Sequence, residues 1–226
     1  METCSAIVVA GGSGKRFGGK KQFINLKGEL VLKIAVKHFD IPEIDRIIVV
    51  VPEEDVEVMQ SCLNGFNNEI KIVPGGKARH DSVMNGLDAA GNCDVVLIHD
   101  GVRPFITFNL IKKLIKGTRD ADGCIPVLPV TDTIKIAENG FIMKTVPREN
   151  LFAVQTPQAF KMNKILDAHR MAMGRDYIPT DDSILIEESG GTVRMVEGER
   201  FNIKITLPED MILAEAIYAF QNRNRI

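Results

Sequence analysis

Residues 5–22 read SAIVVAGGSGKRFGGKKQ, a short apolar run followed at once by a loop rich in glycine and basic residues. Between Ala10 and Gln22 there are five glycines and four cations. Glycine lets backbone N–H groups approach a ligand closely, while lysine and arginine add positive charge, so the loop suits a polyphosphate. An apolar strand that ends in such a loop is typical of nucleotide-binding α/β folds.

Further apolar runs continue this pattern along the chain. The predicted strands are Ser5–Ala10, Arg46–Val51, Ile70–Val73 and Val95–His99. Their near-continuous apolar character indicates burial on both faces, and apolar residues at helical spacing lie between them. The series predicts an α/β, Rossmann-like, mostly parallel twisted sheet with helices on both faces. Its carboxyl edge should gather the loops that contain Gly11, Gly75 and Gly101.

Two later segments depart from this series. The turn signal Glu138-Asn139-Gly140 lies between two β-rich runs and predicts an inserted hairpin arm at about 131–154. The residues alone leave open whether this arm packs on its own domain or pairs with a second subunit. Thr206 to Glu209 resembles a capping box, with Pro208 in the first turn of a final helix. The predicted apolar face of that helix is Leu213, Ala216, Ile217 and Phe220.

The bulk properties narrow the class of protein. The 226 residues show no linker, which predicts a single domain over 1–226. A formal net charge of −2 argues against a nucleic-acid partner. The four cysteines have no Cys-x-x-Cys spacing, so we expect neither a zinc site nor a disulfide framework. No leader-like or membrane-spanning apolar stretch is present, so we expect a cytoplasmic protein with no membrane partner.

Two familiar nucleotide-binding motifs fail in the loop. Phe17 stands where G-x-G-x-x-G needs its third glycine, which argues against a dehydrogenase. The residues from Gly14 to Lys20 fit G-x-x-x-x-G-K, but Lys21 replaces the serine or threonine that binds Mg²⁺. A P-loop ATPase or GTPase therefore stays an alternative only because an apolar strand ends at Asp100.

An ordered set of motifs runs through the rest of the chain. In order, they are Lys21-Gln22, Gly75-Gly76-x-x-Arg79-x-x-Ser82, His99-Asp100-x-x-Arg103-Pro104, Pro129-Val130-x-Asp132-Thr133, Arg148-x-x-Leu151, Gln155-Thr156-Pro157-Gln158, Thr180-Asp181-Asp182 and Asn202-Ile203-Lys204-Ile205-Thr206. With the glycine-basic loop, this set resembles the 2-C-methyl-D-erythritol 4-phosphate cytidylyltransferases of isoprenoid precursor biosynthesis. The resemblance extends from Ser5 to about Ala216.

The resemblance implies a nucleotidyltransferase domain that joins CMP from CTP to a sugar-alcohol phosphate, with Mg²⁺ bridging the triphosphate. It implies roles in catalysis for Arg16, Lys21, Lys204 and Arg148. It implies CTP binding by Ala10, Gly11, Gly12, Gly14, Lys21, Gly76, Ser82, Asp100 and Lys204, with Asp100 also a neighbour of Mg²⁺. It implies binding of the acceptor substrate by Arg103, Thr133, Arg148, Thr156 and Thr180. It also implies a homodimer in which the arm of one subunit enters the site of the other.

Some questions stay open at this point. Ribitol 5-phosphate cytidylyltransferases share the CTP machinery and resemble this chain at Gln155 to Gln158, although Thr133-Ile134-Lys135 looks closer to the methylerythritol enzymes. Lys20 stands where the family often has proline, so either Lys20 or Lys21 could meet the phosphates. The histidines lack metal-ligand spacing and are expected to be structural.

Overall fold

The computed structural model describes residues 2–12, 19–20, 23–172 and 179–223. Its strands are β1 (Cys4–Val9), β2 (Asn25–Leu26), β3 (Glu29–Leu30), β4 (Arg46–Val51), β5 (Glu69–Pro74), β6 (Val95–Asp100), β7 (Gly123–Pro129), β8 (Ile134–Glu138), β9 (Phe141–Val146), β10 (Phe152–Val154), β11 (Gln158–Lys161) and β12 (Val193–Glu197). Its α-helices are α1 (Val31–Lys37), α2 (Val56–Cys62), α3 (Arg79–Ala90), α4 (Phe108–Gly117), α5 (Met162–Ala172), α6 (Ser183–Glu188) and α7 (Asp210–Arg223). A short 3-10 helix, Glu53–Asp55, directly precedes α2.

Eight strands form one sheet in the order β10-β7-β11-β6-β1-β4-β5, with β12 paired to β7. β1 pairs in parallel with β4 and β6, β4 with β5, and β7 with β12, whereas β10 and β11 run antiparallel to their neighbours. Val127 of β7 pairs with both Val154 and Glu197, so β10 and β12 lie on opposite edges of β7. The predicted α/β fold with a mostly parallel sheet is confirmed.

Helices cover both faces of this sheet. Ala6 and Val8 of β1 pack in a core cluster that contains Leu32 of α1, whereas Ile7 packs in a second cluster that contains Val83 of α3. Successive side chains of a strand point to opposite faces, so burial on both faces accounts for the continuous apolar run. Each of the four strands predicted from the sequence is confirmed to within one residue at either end.

The arm is a two-stranded hairpin, β8 and β9, that stands apart from the central sheet. Asn139 and Gly140 have φ angles of 51° and 84°, the left-handed pair that a tight two-residue hairpin turn requires. The side chains of Phe141, Ile142 and Met143 are 74%, 63% and 62% exposed. The predicted hairpin is confirmed, and its apolar side chains face solvent in the single chain.

The final helix differs in two details from its prediction. It begins at Asp210, whose carboxylate accepts from the backbone N–H groups of Thr206 at 2.7 Å and Leu207 at 2.8 Å, so the capping carboxylate is not that of Glu209. Its buried residues are Ala214 and Ile217. The predicted face is confirmed at Ile217 and was wrong at Leu213, Ala216 and Phe220, because the helix packs through the row that starts at Met211, which leaves Leu213 and Phe220 more than half exposed.

Candidate active site

The glycine loops meet at the carboxyl edge of the sheet, as predicted. The backbone N–H of Gly75, after β5, donates to the carbonyl of Val51 at 2.7 Å, and that of Gly101, after β6, donates to the carbonyl of Val9 at 2.9 Å. A Cβ placed on Gly101 would lie 3.1 Å from the Cβ of Ala10, so these loops already touch. Ala10 therefore lies at the junction where the fold leaves room for a ligand.

Ser82 connects the loops beside this junction. Its buried hydroxyl accepts from the N–H of Gly76 and donates to the carbonyl of Ala78, both at 3.1 Å. A Cβ on Gly11 would lie 3.1 Å from the same oxygen, and a Cβ on Gly76 would overlap Asp81. The structure thus brings Gly11, Gly76 and Ser82 together, as the predicted CTP-binding set requires.

The rest of the glycine-basic loop can be described only in part. Gly12 is exposed, and the predicted residues Gly14, Arg16 and Lys21 lie outside the described residues. Lys20 is described, and its Nζ lies 2.6 Å from Asp55 Oδ1 and 3.3 Å from Glu54 Oε1. The positive charge of Lys20 is therefore paired with two carboxylates of the 3-10 helix that follows β4.

This ion pair predicts that Lys20 and Lys21 contribute differently to catalysis. Replacing Lys20 by methionine should lower kcat/KM of the proposed transfer less than about tenfold, whereas the same change at Lys21 should lower it about a hundredfold or more. The two variants lose the same charge one residue apart, so each is the control for the other. Steady-state rates with CTP and acceptor measure both. A larger loss at Lys20 would assign the phosphate contact to Lys20.

Asp100 is the centre of a charged cluster at the end of β6. Its Oδ2 lies 2.8 Å from Nζ of Lys204 and 3.5 Å from Nε of Arg103, and its Oδ1 lies 3.6 Å from Nε of Arg79. We call these four residues the Asp100 cluster. Burial raises the pKa of Asp100, but the charges of Arg79, Lys204 and Arg103 outweigh it and hold the pKa well below its usual range. The carboxylate is therefore ionised and surrounded by cations.

Lys204 reaches this cluster through a segment that packs beside the loop after β6. The N–H of Ile205 donates to the carbonyl of Val102 at 2.9 Å, and Nη1 of Arg103 donates to the carbonyl of Asn202 at 2.8 Å. The Asn202 side chain in turn donates to the carbonyl of Thr156 at 2.8 Å. Three distant predicted residues, Arg103, Thr156 and Lys204, are thus brought together around Asp100.

His99, just before Asp100, is fully buried and bonded to the same segment. Its Nδ1 lies 3.1 Å from Oγ1 of Thr156, and its Nε2 lies 2.9 Å from the carbonyl of Arg103. Burial lowers the pKa of His99 to about 3, although the bond to Arg103 and the charge of Asp100 partly oppose this. The histidine is therefore neutral near pH 7.

The lowered pKa of His99 predicts a dependence of stability on pH. The folded pKa lies below the ordinary value of 6.5, so the unfolded chain takes up the proton first as pH falls. The free energy of unfolding should be highest above about pH 7 and fall by about 2 kcal/mol between about pH 7 and about pH 5. Urea unfolding at these pH values measures the loss. The variant H99N should lose the part of the slope due to His99, and an unchanged slope would contradict the assignment.

A second buried ion pair extends the Asp100 cluster towards α6. Nη2 of Arg79 lies 2.7 Å from Asp182, whose other carboxylate oxygen lies 3.4 Å from Nε2 of His169. The sequence motifs contain Arg79 and Asp182, but no role was predicted for either. The feature that could have indicated a role is their position at helix starts: Arg79 is the first residue of α3, and Asp182 directly precedes α6. Charged residues at such helix starts, on loops beside a predicted ligand edge, are candidates for a shared network.

Three predicted acceptor-binding residues have exposed positions and are not members of the Asp100 cluster. Thr133 and Arg148 are exposed at the base of the arm, where Arg148 donates to the carbonyl of Thr131. Thr180 is exposed two residues before Asp182. Within the described residues, no recorded hydrogen bond or ion pair joins any of the three to the cluster. Thr133 and Arg148 therefore belong to the arm, whereas Thr180 lies close along the chain to Asp182, the partner of Arg79.

Comparison with known proteins identifies the family of the chain. The sequence model of the 2-C-methyl-D-erythritol 4-phosphate cytidylyltransferases matches residues 4–219. The chain belongs to this family. A family enzyme of Clostridium botulinum is 45% identical over 228 residues, which cover 96% of this chain and 98% of that one. One of Bacillus licheniformis is 40% identical over 223 residues, with 96% of each chain covered.

Solved structures of similar proteins agree with the fold. The crystal structure of 4-diphosphocytidyl-2C-methyl-D-erythritol synthase from Anaerococcus prevotii has a TM-score of 0.87 at 34% identity, covering 96% of this chain and 99% of that one. The 2-C-methyl-D-erythritol 4-phosphate cytidylyltransferase of Thermus thermophilus has a TM-score of 0.79 at 30% identity, covering 97% and 100%. The whole domain, rather than the loop alone, therefore matches the family.

The donor groups at this edge bear on metal binding. Within the described residues, no group of three His, Cys, Asp or Glu side chains could hold a metal ion. Asp100 supplies a carboxylate beside the glycine loops. Because Mg²⁺ in nucleotide sites is commonly held by one or two carboxylates together with phosphates, this arrangement fits an ion carried mainly by a bound triphosphate.

No helix in the described part of the chain has the length and apolar character to cross a membrane.

Proposed function

We propose that this chain transfers CMP from CTP to 2-C-methyl-D-erythritol 4-phosphate, releasing pyrophosphate, in isoprenoid precursor biosynthesis. The observation that carries this proposal is the Asp100 cluster, which lies at the same sheet edge as the glycine loops in a member of this family. Lys204 from a distant segment and Arg103 from the loop directly after β6 both meet Asp100, and cations gathered in this way support binding of a phosphate chain.

The proposed reaction depends mainly on stabilisation of the negative charge on the phosphate oxygens. An oxygen of the acceptor phosphate attacks the α-phosphorus of CTP, and the bond from that phosphorus to the bridging oxygen of pyrophosphate breaks. Lys204, with Arg16 and Lys21 of the glycine-basic loop, stabilises the charge that develops on the phosphate oxygens. When bound, Mg²⁺ would neutralise part of the charge on the triphosphate, and the carboxylate of Asp100 would help to hold it. The segment around Gly76 and Ser82 receives the cytosine.

The acceptor site is completed by a second copy of the chain. We place Thr133 and Arg148 of the partner subunit's arm beside Arg103, Thr156 and Thr180, in a homodimer that exchanges arms. The exposure of Phe141, Ile142 and Met143 supports this, because exposed apolar surface of this kind favours burial against a partner. A cytoplasmic location fits the free cysteines, of which Cys4 and Cys124 are buried.

The experiment that tests the proposal is an acceptor assay. Protein, CTP and Mg²⁺ are incubated with 2-C-methyl-D-erythritol 4-phosphate or ribitol 5-phosphate, and pyrophosphate release is followed. We expect preferential turnover with the methylerythritol substrate. Preference for ribitol 5-phosphate would assign the related polyol pathway instead. Hydrolysis of ATP or GTP without any acceptor would favour the P-loop alternative and overturn the proposal.

A further inference from the structure

The proposed transfer leaves His99 without a role, although both of its ring nitrogens bond to the active-site edge. One bond joins Nδ1 to the hydroxyl of Thr156, at 3.1 Å, and the other joins Nε2 to the carbonyl of Arg103, at 2.9 Å. The ring also packs against Phe39, with centroids 5.2 Å apart. His99 is 0% exposed, so bulk solvent does not reach either nitrogen.

The protons in this network can be placed by elimination. A carbonyl oxygen only accepts, so Nε2 of His99 carries the proton that bonds to Arg103. In a neutral imidazole the other nitrogen is then an acceptor, so the hydroxyl of Thr156 donates to Nδ1. The same hydroxyl oxygen accepts from the backbone N–H of Asp100 at 3.0 Å. Every bond of the set is satisfied by one tautomer of His99 and one orientation of the Thr156 hydroxyl.

This assignment changes what Thr156 can do. Its single hydroxyl proton is used on His99, and one of its two lone pairs is used on Asp100, so it has no proton left to donate to a phosphate oxygen. Its carbonyl accepts from the side chain of Asn202, two residues before Lys204. Thr156 therefore ties the end of β6 to the segment that carries Lys204.

We propose that His99 is a positioning residue: as the neutral tautomer with the proton on Nε2, it holds the Thr156 hydroxyl and the Arg103 carbonyl and so fixes the orientation of Asp100 and Arg103. Thr156 acts through this network rather than by donating to the acceptor phosphate. The kinetic consequences rest on the proposed function, whereas the tautomer does not.

The first test reads the tautomer directly. Two-bond ¹H–¹⁵N correlation spectra of ¹⁵N-labelled protein at neutral pH distinguish the protonated ring nitrogen from the bare one, and H99N identifies the signal. We expect His99 with a proton on Nε2 and none on Nδ1. A proton on Nδ1, or on both nitrogens, would overturn the proposal whatever reaction the enzyme catalyses.

The second test compares variants that break different parts of the network. H99N keeps an acceptor near Nδ1 but loses the donor to Arg103, H99Q keeps a donor near Nε2 but loses the acceptor for Thr156, and T156V removes the hydroxyl. Each should lower kcat about 10- to 100-fold, with far smaller changes in the KM of the acceptor. H99Q and T156V both lose the bond between His99 and Thr156, and T156V also loses the bond from the N–H of Asp100, so the double variant should be little worse than T156V alone.

T118V is the matched control. Thr118 is 1% exposed, and its hydroxyl donates to the carbonyl of Ile115 at 2.8 Å, so this change removes a buried threonine hydroxyl outside the network. We expect its kcat to be that of the wild type. If Thr156 instead bound the acceptor directly, T156V would raise the acceptor KM, H99Q would not, and the two effects would multiply. Wild-type kcat in H99N, H99Q and T156V would show a purely structural role and would equally overturn the proposal.

Discussion

Replacement of Lys204 by methionine is expected to lower kcat/KM of the proposed transfer about a hundred- to a thousandfold. The ammonium lies 2.8 Å from Asp100, at the edge where the glycine loops meet. Methionine keeps much of the side-chain length but removes the charge that stabilises developing negative charge on phosphate. The Lys204 side chain is 41% exposed, and Asp100 keeps Arg79 and Arg103, so the fold should persist.

A matched control separates this effect from the loss of any surface charge. Lys112 forms an ion pair with Glu43 at 3.0 Å and is 49% exposed, on α4 and outside the Asp100 cluster. K112M should therefore keep wild-type rates. Pyrophosphate release measures activity, and urea unfolding shows whether K204M is folded. A folded K204M with wild-type kcat/KM would remove Lys204 from the proposed mechanism.

The fold was predictable where local pattern and burial agree. The apolar runs of β1 and β6 are buried on both faces, so their composition already indicated a parallel sheet, and the loops that follow them could be placed at one edge. The hairpin was predictable because Asn139-Gly140 suits only a few tight turns. In α7, several apolar residues offer more than one face, and tertiary packing chose Ala214 and Ile217.

The site was predictable only in part. The position of Asp100 follows from the strand that it ends, but the approach of Lys204 from a distant segment came from family resemblance, since no local rule relates the two. The pairs that join Arg79 to Asp182, and His99 to Thr156, depend on side-chain directions after folding. A single sequence does not give such directions, so the motifs that contain these residues do not show which residues they bond to.

Replacement of Asp182 by asparagine is expected to lower the free energy of unfolding by about 3 kcal/mol. Asp182 is 0% exposed and lies 2.7 Å from Nη2 of Arg79. Asparagine keeps the shape but leaves the guanidinium without its nearest negative charge. The Arg79 side chain is 29% exposed, so solvent screens part of that loss and places it at the lower end for a broken buried pair.

D120N is the matched control, because Asp120 pairs with Arg194 at 2.6 Å at the surface, where the side chains are 70% and 52% exposed. The two pairs share chemistry and distance and differ in burial. D120N should change the free energy of unfolding by less than about 1 kcal/mol. Urea denaturation at neutral pH measures both variants. Equal losses would mean that burial does not decide the contribution of the Arg79 pair.

The dependence of the D182N effect on pH tests whether charge is its cause. Burial raises the pKa of Asp182, but the charge of Arg79, together with the contacts that His169 and Arg79 make with the carboxylate, outweighs burial and holds the pKa below 3.8. A carboxyl whose pKa falls on folding stabilises the protein above its ordinary pKa, and this contribution is lost as pH falls further. The difference between wild type and D182N should therefore be full at neutral pH and shrink below about pH 4, since protonated Asp182 is as uncharged as asparagine. A difference that stays constant would assign the loss to packing or hydrogen bonding instead.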